Sequence, residues 1–395
     1  MKNLQNCPSK NKSTLLLVLF LISLFCHNDF AQKDQISVHS SRLDFQPNLP
    51  FRFCWSYQTG IKVTSIVASD NSELTSINFL GETQWKTELG GQTISNLLII
   101  GDNIFLASKP IDVEPSNVTV SETGENLSRK PNTIRSINRF TGVTNWLMKI
   151  FDSEKIHLSG YDDNIIVIGR EGIIKSIKAN NGQIVWEDRF SSELSSEPYI
   201  ENTQTVLVGT TDGYIIRRSL NSGRQIRKMK VTTAPTAVLT DQYQQNLFWG
   251  DAKGSVFSVK NTDPGINPVK YKSRWQFRNG ASISHLVATS NGLLISSYDN
   301  FVYFISYEDG EIIWKRRFAG RIDLAPFIGG TYAVILTTVD SDAVVIEMSS
   351  GKQVNKISLK DVNLFTNSPT KIGNQLLFPT LNGIFSFSTG ICPNN

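Results

Sequence analysis

Few residues in this chain are of the kinds that do chemistry, and their spacing works against it. Past position 31 the histidines are His39, His157 and His285, each more than a hundred positions from the next. No pair falls at the short spacing that a zinc-type site is built on. Two cysteines, Cys54 and Cys392, sit near opposite ends, and neither is part of a C-x-x-C. The chain contains no H-E-x-x-H, no G-x-S-x-G and no phosphate-cradling G-x-x-x-x-G-K-[ST]. The expectation is therefore no catalytic residue, no metal and no cofactor. A Ser/His/Asp group assembled only in space leaves no mark on a sequence.

Charge is the more distinctive chemistry. Arg217, Arg218, Arg224, Arg227, Lys228 and Lys230 fall within fourteen residues that hold no acid, and Lys315, Arg316, Arg317 and Arg321 form a second cluster. Two readings stand. The six could form a docking strip for an acidic protein partner, steering encounter and fixing register. They could equally guard an outer strand, because charged side chains on an exposed edge prevent edge-to-edge pairing.

The elements that must position these residues repeat. In residues 176–190, SIKANNGQIVWEDRF, two apolar runs flank an Asn-Gly turn and Trp186 follows Gly182 by four. Asn-Gly between such runs is a strong hairpin signal, since the turn needs positive φ. The unit recurs as Gly81 with Trp85, Gly142 with Trp146 and Gly310 with Trp314. Gly223 and Gly351 keep the turn but lead to Arg227 and Asn355, Gly265 precedes Trp275 with an insertion, and Gly390 runs into the C-terminus. From Gly142 to Gly390 the intervals between successive turn glycines are 40, 41, 42, 45, 41 and 39. A period near 40 with strand-like content predicts an all-β propeller of eight four-stranded blades. Short, nearly continuous apolar runs at 165–168, 206–208, 293–295 and 333–336 fit strands covered on both faces, and no sustained helical series appears beyond position 31.

The two ends are complementary. The last repeat, ending Thr389-Gly390-Ile391-Cys392, lacks its final strand, while residues 51–58 carry Trp55 with no turn before them. The N-terminal strand is expected to complete the last blade and close the ring, with Trp55 standing in for the missing tryptophan. That arrangement brings Cys54 and Cys392 to one seam, where a disulfide is expected.

Residues 1–31 read as a signal peptide: Lys2, Lys10 and Lys12 precede an apolar run at 15–25 that is too short to span a bilayer. Phe25 occupies the place where a lipobox needs a small residue, so Cys26 is not expected to carry lipid. Residues 32–50 read as a tether, and 51–395 as the propeller with a polar insertion at 110–131 that contains the sequons Asn117-Val-Thr and Asn126-Leu-Ser. With the leader removed, 36 basic residues face 34 acidic ones. A balance of +2 suggests no nucleic-acid partner.

The repeat resembles the pyrroloquinoline-quinone (PQQ)-type propeller family, best matched by residues 137–146, INRFTGVTNW, and 176–186, SIKANNGQIVW. The resemblance covers about residues 51–392. Size, eight repeats and an export signal look most like the BamB family, a component of the bacterial outer-membrane barrel-assembly machinery. That likeness implies a monomeric, non-catalytic scaffold for protein partners, among them the barrel-assembly machinery, in the periplasm or at the outer-membrane periphery, where it could touch the membrane or be secreted. Two alternatives stand beside it. One is a quinoprotein-like dehydrogenase, although members of that class resemble one another in an adjacent cysteine pair and an acidic calcium cluster, and no two cysteines are adjacent here. The other is a lectin-like extracellular recognition propeller.

Overall fold

The computed structural model describes residues 52–58, 67–69, 72–110, 131–241, 245–261, 273–338, 342–359 and 365–388, apart from positions 79, 373, 374 and 382. The leader, the tether, positions 111–130 of the insertion with both sequons, and Cys392 lie outside the described residues. Every described element is a strand, and the strands fall into antiparallel sheets that follow one another along the chain. The chain is an all-β propeller. Blades 1 to 7 are the sheets within residues 67–88, 91–149, 156–189, 199–230, 235–278, 283–317 and 327–358, and blade 8 combines residues 370–388 with the strand Arg52–Gln58. No helix among the described residues is long and apolar enough to cross a membrane.

The expectation of eight four-stranded blades is corrected. The structure has seven full blades, of four or five strands, while blade 1 has only three strands among the described residues, Val67–Ser69, Glu73–Ile77 and Thr83–Glu88. Trp55 and Trp85 are closer in sequence than any other two successive turn tryptophans, which leaves this sheet less chain than the other repeats use.

Blades pack face to face, so an inner strand is covered on both sides and needs apolar residues at every position. The runs read from sequence behave this way. Ile165 to Ile168, Val206 to Val208, Leu293 to Ile295 and Ala333 to Leu336 are all buried.

The tryptophans join neighbouring blades at the outer rim. The indole Nε1–H of Trp85 donates to Arg139 O at 2.9 Å, Trp146 to Ala179 O at 3.0 Å, Trp186 to Asn221 O at 2.9 Å, Trp275 to Tyr307 O at 2.9 Å and Trp314 to Met348 O at 2.7 Å. Each acceptor lies in the turn of the following blade, two or three residues before its glycine. That glycine is required twice over. At Gly310 φ is +76°, and a Cβ would lie 2.7 Å from the Trp275 ring. Trp85, Trp146, Trp186 and Trp314 also follow a bulge: Trp186 pairs with Ser176 and Ile184 with Ile177, leaving Val185 unpaired.

The N-terminal strand repeats this bulge. Arg52–Gln58 runs antiparallel to Gly383–Ser388, with Trp55 opposite Ser386, Phe53 opposite Phe387, and the shift falling at Cys54. Trp55 thus follows its bulge in blade 8 as Trp186 does in blade 3.

A second ring of bonds, near the axis, had no signal in the sequence. Ser195 Oγ donates to Pro235 O at 2.7 Å, Thr236 Oγ1 to Ile283 O at 2.7 Å and Ser284 Oγ to Ile322 O at 3.1 Å, each reaching into the next blade. Asn96 does the same between blades 2 and 3, donating to Leu158 O and accepting from Leu158 N. Hydroxyls that would otherwise be spare are used to hold the hub.

Candidate functional site

The basic cluster of blade 4 does not form one strip. Arg217, Arg218 and Arg227 are buried, while Arg224 and Lys230 are exposed and Lys228 is half-buried. The reason is strand geometry: alternate side chains in a blade face opposite neighbours, so a run of six splits between two interfaces and the rim. Arg217 turns inward, its Nε 2.7 Å from Glu201 Oε2 and its Nη2 donating to Glu201 Oε1 at 3.0 Å and to Asn261 of blade 5. Arg218 reaches back to blade 3, pairing with Asp188, donating to the carbonyl of Arg189 and covering the Phe190 ring at 4.9 Å. Arg227 takes the register position of the tryptophans, opposite Arg217. The outward remnant is Arg224, Lys228 and Lys230, and both lysines lie over the Tyr214 ring, at 3.9 and 4.3 Å.

Near the axis, blades 3 to 7 enclose a polar cavity of about 550 Å3. Its walls include Lys155 and His157 from blade 3, Glu197 from the approach to blade 4, Ser284 and His285 from blade 6, and Asp323 from the approach to blade 7. An adjoining cavity of about 340 Å3 shares Glu197, Thr236, Ser284 and His285 and runs along the inner strands. Two histidines from distant parts of the chain thus line one space, which sequence spacing could not show. Both stand near the start of an inner strand: His157 follows the first residue of Ile156–Tyr161 and His285 is third in Ile283–Ala288. Among the described residues no group of three or more His, Cys, Asp or Glu side chains is placed to hold a metal ion.

Burial is the main influence on both imidazoles and holds each below the ordinary value of 6.5. Glu197 opposes this at both rings, Asp323 adds to the opposition at His285, and Lys155 acts with burial. A folded-state value below the unfolded one means that the unfolded chain takes up protons first as pH falls. Folding stability is therefore expected to be complete above pH 6.5 and to decline below it. Denaturant titration from pH 7.5 to 5 should show this decline, and the double variant His157→Gln, His285→Gln should flatten it.

The geometry can be set beside known proteins. The family model described as outer membrane protein assembly factor BamB matches residues 130–263. The crystal structure of BamB from Moraxella catarrhalis superposes with a TM-score of 0.62 at 17% sequence identity, covering 87% of this chain and 99% of that one. The chain has the propeller fold of that structure, and over residues 130–263 it is similar to the BamB family. The computationally designed Ika8 protein is also similar, with a TM-score of 0.48 at 12% identity over 75% of this chain and 95% of its own. No curated protein sequence matches the chain. The BamB match by sequence runs from the end of the blade 2 insertion to the last turn of blade 5. It therefore includes the Trp146 and Trp186 seams, the buried Arg217–Glu201 pair, and one wall of the axial cavity.

Proposed function

We propose that this chain is an exported, non-catalytic propeller that scaffolds protein assembly at the periplasmic side of an outer membrane. The observation that carries the reading is the sequence match of residues 130–263 to the BamB family model. The surface supports it. Ile184 and Val185 in blade 3 and Ile312 and Ile313 in blade 6, each pair two and three residues past its turn glycine, are 44–49% exposed on outer strands. β-branched pairs held in water at a sheet edge suit contact with another protein's backbone and apolar side chains. Arg224, Lys228 and Lys230 are the part of the basic cluster left free to face an acidic partner. Photo-cross-linking groups placed at Val185 and Ile313 in the native cell test this. Capture of barrel-assembly subunits is expected, whereas capture of glycans, or of nothing above a blade-core control position, would overturn it.

In this reading the ring is closed by the N-terminal strand and sealed by a Cys54–Cys392 disulfide. Export to an oxidising compartment would let the bond persist, and the register that puts the bulge at Cys54 supports its place at the seam. Mass spectrometry of the mature protein without reductant should find no free thiol; two free thiols would remove the bond.

A further inference from the structure

We propose that the axial cavity is a binding site for a small oxyanion, a carboxylate or a phosphate, held by Arg170, His157 and His285. The argument is one of elimination among the groups that line it. Lys155 is paired with Glu197. Asp323 is paired with Arg321 at 2.6 Å and accepts from Thr338 Oγ1 at 3.0 Å. Arg321 in turn lies 3.7 Å from the centre of the Tyr298 ring, so none of these charges is spare. The hydroxyls of Ser195, Thr236 and Ser284 are spent on the next blade's carbonyls.

What remains without a side-chain hydrogen bond or ion pair among the described residues is richer in nitrogen groups than in carboxylates. It comprises the Arg170 guanidinium, the two imidazoles and one carboxylate, Glu193, all on the wall of the same cavity. His285 Nδ1 is buried without a partner, which leaves Nε2 as the nitrogen that can meet a ligand. Three nitrogen groups against one carboxylate favour a ligand that brings negative charge and oxygen acceptors. A guanidinium presents paired donors that match carboxylate and phosphate oxygens. A volume of about 550 Å3 admits a small organic molecule as readily as the bare ion.

The site carries its own pH dependence. The charged groups acting on the imidazoles are Lys155, Glu197 and Asp323, and Arg170 and Glu193 line the same cavity. An oxyanion beside them replaces part of the lost hydration of the imidazolium form, so binding and proton uptake reinforce each other. Affinity should rise as pH falls.

The proposal is independent of the scaffold reading, since it requires no protein partner. It is tested by isothermal titration of the mature chain with inorganic phosphate and with succinate at pH 5.5 and 7.5, in low chloride, alongside the imidazole proton resonances. Binding of at least one of the two is expected at pH 5.5, at least tenfold weaker at pH 7.5, with both histidine resonances moving. Phosphate alone would assign a phosphate-bearing ligand and succinate alone a carboxylate-bearing one. Arg170 is exposed at the rim, so Arg170→Gln should fold normally and weaken binding at least tenfold, and His285→Gln should do the same. No heat and no resonance shift with either anion, or binding that survives Arg170→Gln, would overturn the site.

Discussion

Trp314→Ala is expected to lower the free energy of unfolding by about 3–5 kcal/mol, the range for removing a large buried aromatic. Trp314 is 8% exposed, packs on Phe304 with ring centres 5.5 Å apart, and sits where a Cβ on Gly351 would lie 2.6 Å from it. Its indole N–H also satisfies Met348 O. Removing the ring therefore opens a cavity between blades 6 and 7 and leaves a turn carbonyl without its donor. Trp314→Phe separates the two contributions: it keeps most of the packing, loses the hydrogen bond, and should cost about 1 kcal/mol beyond its small volume change. Guanidinium denaturation of the three proteins measures both. A loss below about 1 kcal/mol for the alanine variant would show that the seam does not depend on its tryptophan.

Arg217→Met is expected to cost about 3–5 kcal/mol, the penalty for leaving a buried charge uncompensated. The charge left behind is Glu201, whose side chain is 3% exposed beside an Arg217 that is 9% exposed. Thr205 Oγ1, which donates to it at 2.9 Å, and Asn261 would remain near it, and neither carries charge. Glu201→Gln should cost a comparable amount by stranding the guanidinium. The double variant Arg217→Met, Glu201→Leu should recover much of the loss, because an apolar pair needs no desolvation of charge. These changes should leave partner binding per folded molecule unaltered. If Arg217→Met instead folds as well as the parent and binds its partner more weakly, the residue belongs to a docking surface after all.

The repeat was legible because its turn chemistry is local. An Asn-Gly or Asp-Gly turn with tryptophan four residues on defines a hairpin, its bulge and its outward packing in one short stretch; the N-terminal strand joins the last sheet as that pattern implies, but Trp55 stands opposite Ser386 and not opposite Ile384, the residue six before Gly390 that the repeat spacing would give. The basic cluster was misread for the complementary reason. Whether Arg217, Arg218 and Arg227 face solvent or a neighbouring blade depends on residues such as Glu201, Asp188 and Asn261, which sequence distance does not connect. The same holds at the axis. Ser195, in the connection before its strand, and Thr236 and Ser284, at the starts of theirs, are ordinary hydroxyls in the sequence, and only the ring places each beside the next blade's carbonyl. His157 and His285 line one cavity because blades 3 and 6 both contribute to its wall, a relation that exists only once the ring has formed.

That ring, with the N-terminal strand as the outer strand of its last sheet, underlies every site described above. Native-state hydrogen exchange of the backbone amides in Arg52–Gln58, set against those of Gly383–Ser388, tests it most directly. The account predicts that the amides of Arg52–Gln58 that bond across to Gly383–Ser388 exchange with the same opening free energy as their partners, as one cooperative unit. Exchange of Arg52–Gln58 at the rate of free chain, with Gly383–Ser388 still protected, would contradict it.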